Sequence, residues 1–72
     1  MTEMRVLSGE EVCGILKKFG FVQVRQKGSH ILMQFRNEAG TITVPVPNHR
    51  EIKIGTLQSI IRQSGLPKNE FE

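Results

Sequence analysis

The chain has no tryptophan and no tyrosine, only four phenylalanines, and a single cysteine in 72 residues. Each scarcity excludes something. Without indole or phenol rings there is no run of aromatic platforms on which successive bases could stack. Cys13 alone builds no disulfide framework, no CxxC pair and no zinc cluster, so a reducing, intracellular compartment is the default expectation. The two histidines, His30 and His49, stand far from each other and from Cys13, so no metal-ligand spacing is present. No G-x-G-x-x-G or Walker-type loop occurs. Glu3, Arg5, Glu10 and Glu11 interrupt every apolar run near the N-terminus, which argues against a leader peptide, and no stretch approaches transmembrane length. Internal repeats, low-complexity tracts and linkers are absent as well.

What remains is the composition of an ordinary soluble globular domain, 38% hydrophobic and 24% charged. A chain of 72 residues forms one domain, residues 1–72, near the lower limit for folding without staples. So small a chain cannot build a core and also wall off a deep pocket. Its site should be shallow and its substrate a polymer. The formal net charge of +3 favours acidic partners, though only modestly.

Periodicity predicts five elements. Ser8 and Glu11 match a capping box, and Val12, Ile15, Leu16 and Phe19 recur at helical spacing, giving a helix over 9–19 that Gly20 ends. Three strands follow at 21–26, 29–36 and 41–46, joined by Lys27-Gly28 and by Asn37-Glu38-Ala39-Gly40. In the first strand, Val22 and Val24 share a face. Ile31, Met33 and Phe35, with Ile42, Val44 and Val46, point inward. Pro45 points outward and suits an edge strand. After the polar loop 47–53, Ile54, Leu57, Ile60 and Ile61 form a second amphipathic helix that Gly65 and Pro67 stop. The fold class is therefore α+β: α-β-β-β-α, with a three-stranded antiparallel sheet covered on one face by two helices. The opposite, open face should carry Gln23, Arg25, His30, Gln34, Thr41 and Thr43.

On that face the run Arg25-Gln26-Lys27-Gly28-Ser29-His30 concentrates chemistry. Histidine exchanges protons near neutral pH, and arginine and lysine meet charge developing on a phosphate. His30 fits two readings equally, an exposed surface histidine or a proton-transfer group beside an anion site. Gly28 belongs in a turn under either. Ser29 suits that turn or donates a hydrogen bond to phosphate; as a neighbour of His30 on a strand it would face away and make a poor nucleophile. In Pro47-Asn48-His49-Arg50, His49 is either a plain loop residue or a phosphate contact working with Arg50 and Lys53 ahead of a helix N-terminus.

Taken together, these residues resemble the HicA family of toxins, small mRNA interferases of bacterial and archaeal toxin–antitoxin pairs. The resemblance rests on Gly20-Phe21, on Arg25 through His30, on Val46-Pro47-Asn48-His49, and on the segment from Ile54-Gly55-Thr56-Leu57 to Gly65-Leu66. It implies a double-stranded-RNA-binding-domain-like fold. It also implies endonucleolytic cleavage of mRNA with His30 as the catalytic residue, without metal or organic cofactor. The implied partner is a HicB-type antitoxin, and the implied location is the cytoplasm. Arg25, Lys27, Gly28, Ser29, His49, Arg50 and Lys53 would then bind RNA. Two other functions fit the residues: a non-catalytic RNA-binding module of the same fold, and a protein-interaction domain whose basic face meets an acidic partner.

Overall fold

Ser8 starts the first helix by the expected reciprocal bonds. Its hydroxyl accepts from the Glu11 backbone at 3.1 Å, and the Glu11 carboxylate accepts from the Ser8 backbone at 2.9 Å. In the computed structural model, which describes residues 5–72, helix α1 spans Gly9–Lys18. Strands β1 (Val22–Lys27), β2 (His30–Asn37) and β3 (Gly40–Pro47) follow, then helix α2 (Ile54–Ser64) and a 3-10 turn, Lys68–Phe71. Glu3, one of the residues that spoke against a leader peptide, lies outside the described residues. The strands form one antiparallel sheet in the order β1-β2-β3, so β3 is an edge strand, as Pro45 requires. The fold class is the α+β arrangement that periodicity implies, with boundaries displaced by about one residue, as helix and strand ends commonly are. Among the described residues no helix is long and apolar enough to cross a membrane.

The core lies between one sheet face and the two helices. Val12 and Leu16 of α1, Ile31 and Met33 of β2, Val44 and Val46 of β3, and Leu57 and Ile60 of α2 are all buried. Each such side chain contributes roughly 1.5–3 kcal/mol by leaving water. Four more buried residues come from outside the regular helices and strands: Leu7, Phe21, Ile52 and Phe71. The 3-10 turn folds the C-terminal end back onto α1 and seats Phe71 there. Ile52 and Phe71 have charged neighbours on both sides and Leu7 stands ahead of the first helix, so periodicity gives no sign of these three.

Strand β1 departs from expectation. The register slips by one between Gln23 and Arg25, a β-bulge at Val24. Residues paired across strands share a face. Gln23 pairs with Met33 and therefore lies on the helix side, not on the open face, while Arg25 pairs with Leu32 on the His30 side. The extra residue reverses the alternation. All of β1 stays exposed, including Val22 and Val24.

Candidate functional site

The hairpin joining β1 to β2 has a two-residue connection, Gly28-Ser29, because Lys27 pairs directly with His30. Gly28 has φ 59, and the non-glycine Ser29 has negative φ, the pattern of a type II′ turn that needs glycine first. This turn fixes the placement of the chemistry. Ser29 belongs to the turn, whereas His30 opens β2, exposed, with Lys27 beside it on the same face. Arg25, opposite Leu32, is the next cation along that face.

On its other side His30 pairs with Pro47 of β3, and Leu32 pairs with Pro45. The prolines remove N–H donors from the edge strand and so blunt it against further strand pairing. Helix α2 packs against β3. Between the helix and this corner of the sheet lies an open groove of about 540 Å³, lined by His30, Pro45, Pro47, Lys53, Gly55, Thr56, Ser59, Ile60 and Gln63. The His30 face is thus not a free plane, as expected from the sequence. Along the β3 edge it has a wall made by α2, because a sheet of three strands is narrow enough for a helix packed on one face to reach past its rim.

The loop that leads from β3 into α2 is held from two directions. The Asn48 backbone donates to the Ser29 carbonyl at 2.6 Å, tying it to the hairpin turn. From the other side, Gly9 donates to the His49 carbonyl at 2.8 Å and Ile52 donates to the Leu7 carbonyl at 2.8 Å. Gly9 has to be glycine here. A β-carbon at that position would collide with the Pro47 carbonyl and stand 3.0 Å from the Asn48 α-carbon. The start of α1 therefore braces the segment that carries Pro47 into Lys53.

The residues singled out in the sequence separate into groups. His30 and Lys53 line the same groove, and Lys27, Gly28 and Ser29 adjoin it through the hairpin. Arg25 extends the basic strip along β1. His49 and Arg50 are exposed in the braced loop and lie outside the groove lining. Sequence reading missed Thr56, Ser59 and Gln63. Their spacing marks one face of α2 beside the apolar stripe, but such a face is ordinarily just the solvated side of an amphipathic helix. Among the described residues, two titratable groups are displaced from their ordinary values. Hydrogen bonds from Ser8 hold the Glu11 carboxyl below the usual carboxylate range, and burial pushes the Cys13 thiol up. Among the described residues, no three His, Cys, Asp or Glu side chains are grouped so that they could hold a metal ion.

A protein-family model described as the HicA toxin of bacterial toxin–antitoxin systems matches residues 9–66. The chain belongs to the HicA toxin family. The match runs from the bracing glycine of α1 through all three strands and α2, and so includes every residue lining the groove. No curated protein matches the chain. A HicA-family toxin is the toxin half of a toxin–antitoxin system, which implies an antitoxin as its partner.

Proposed function

We propose that this HicA-family toxin is an endoribonuclease that cleaves mRNA, with His30 transferring the proton. The observation that carries the proposal is the position of His30: exposed at the rim of a groove, with Lys27 beside it across the hairpin and Lys53 within the same lining. RNA brings its own nucleophile. His30, in its neutral form, accepts the proton of a 2′-hydroxyl. The 2′-oxygen bonds to the adjacent phosphorus, the bond from phosphorus to the 5′-oxygen breaks, and the leaving oxygen takes a proton from water. The products are a 2′,3′-cyclic phosphate and a 5′-hydroxyl. Lys27 and Lys53 offset charge on the phosphate oxygens, Gly28 and Ser29 let the backbone approach closely, and Arg25 follows the strand onward. His49 and Arg50 meet RNA further from the cut. A HicB-type antitoxin in the cytoplasm restrains the enzyme by covering the His30 face with complementary acidic groups.

The test is cleavage of single-stranded RNA by the purified toxin in EDTA. A general acid–base residue contributes typically about 10²–10⁴-fold, so His30→Ala should lower the rate by that order while the circular dichroism spectrum stays that of the wild type. Full activity in His30→Ala would remove the assignment. Salt-sensitive RNA binding without any cleavage by the wild type would make the protein a non-catalytic RNA-binding module instead.

A further inference from the structure

The α2 wall of the groove has a composition that phosphate binding does not explain. A track for the backbone of a nucleic acid is lined with cations. Here, beyond His30, the lining holds one cation, Lys53, and no carboxylate. Past Lys53 the wall consists of neutral hydrogen-bonding side chains, Thr56, Ser59 and Gln63, all on one helical face. The rest of the lining is Gly55, the rings of the exposed Pro45 and half-buried Pro47, and Ile60, which is almost wholly buried beneath them. Ser59 Oγ accepts from Arg62 Nη2 at 3.4 Å, which leaves its O–H free to donate. The volume of about 540 Å³ falls within the roughly 300–1,000 Å³ range of small-molecule pockets. Proline rings beneath and neutral donors and acceptors at the side suit a nucleobase: its face rests on the prolines, and its edge meets the wall. Bases in single-stranded RNA are splayed and available for this kind of reading.

We infer that the groove is a nucleobase subsite for the nucleotide flanking the scissile phosphate, and that Thr56, Ser59 and Gln63 determine which base it accepts. The inference rests on the ribonuclease reading for the position of the cut, but not for the binding of the base. Gln63 is the principal reader, since its amide presents a donor and an acceptor together, the pairing that makes bidentate contact with a base edge.

Two measurements test it. First, a randomised single-stranded RNA pool is treated with wild type, Gln63→Leu and Thr56→Val, and the new 5′ ends are sequenced. The wild type should show a base preference at one position next to the cut. Gln63→Leu should weaken it by at least about fivefold, the lower end of a bidentate base contact. An unchanged preference in both variants overturns the inference. So does an unchanged preference accompanied by weaker antitoxin binding, which would assign the wall to the protein partner. Second, ¹⁵N-labelled His30→Ala protein is titrated with a 2′-O-methyl dinucleotide. Amide shifts should gather at residues 53–63; shifts confined to β1, or none, overturn it. If the wild type does not cleave at all, the ribonuclease reading fails, and the titration still decides the subsite.

Discussion

The two edges of the sheet are built from similar strands and come to opposite ends. At the β1 edge all six residues are exposed, and Val22 and Val24 keep 57% and 46% of their surface in contact with solvent. At the β3 edge Val44 and Val46 are fully buried, and α2 lies alongside. Both edges carry cations: Arg25 and Lys27 on one, and Lys53 at the start of α2 beside the other. The groove lies at the β3 edge. A concave site needs a wall, and a wall needs an anchor in the core. Leu57 and Ile60 anchor α2 beside β3, whereas every residue of β1 stays exposed. The hairpin turn then brings His30 to the walled side by pairing it with Pro47.

The most damaging way to break the contrast is to detach the wall. Leu57→Ala removes a fully buried side chain of α2 and should cost about 2–5 kcal/mol, as such core truncations do. In a domain this small, urea denaturation should show a large loss of stability, with RNA binding lost alongside. Next comes the brace. Gly9→Ala forces a β-carbon into the Pro47 carbonyl, and overpacking of this kind costs about 1–3 kcal/mol. Thermal unfolding should register it, and backbone amide shifts should spread over residues 47–52.

A matched pair sharpens the comparison further. Val46→Ala on β3 should cost about 1.5–2 kcal/mol, at roughly 0.8 kcal/mol for each buried methylene-sized group. Val24→Ala on β1 should stay within about 0.5 kcal/mol, as exposed substitutions do. Equal costs by denaturant titration would mean that the β1 edge is covered in solution.

The smallest effect concerns pH. Glu11 closes the capping box of the helix that braces the β3 loop, and the Ser8 hydrogen bonds lower its pKa from the ordinary value of 4.5. A depressed folded-state value means that stability is fully present above pH 4.5 and is lost as pH falls through the folded-state value. Between pH 5 and pH 2, Glu11→Gln should therefore lose stability less steeply than the wild type. Identical acid profiles would show that the carboxylate contributes nothing there.

Much of this was legible in the chain, residue by residue. Ser8 and Glu11 form the box their spacing implies, and Asn37 Oδ1 accepts from Ala39 and Gly40 at 2.8 and 3.1 Å to close the second hairpin. Pro45 does mark an edge strand. Gln23 faces the helices and not the open side because a bulge is one extra residue with no compositional mark, and a rule of strict alternation carries straight through it. Along the chain His30 and Lys53 belong to separate segments. Their common groove depends on the approach of α2 to β3, which no local pattern encodes.

Local chemistry along the sequence determined the order of the elements, the helix ends, the turn at Gly28 and the inward sides of β2 and β3, because each follows from neighbours within a few residues. The tertiary structure alone decided that Leu7, Ile52 and Phe71 complete the core. It alone decided that Gly9 braces the loop after β3, and that Thr56, Ser59 and Gln63 wall a groove instead of facing open water. Each of these depends on how closely and at what angle distant elements pack, a consequence of filling one small core from all sides at once.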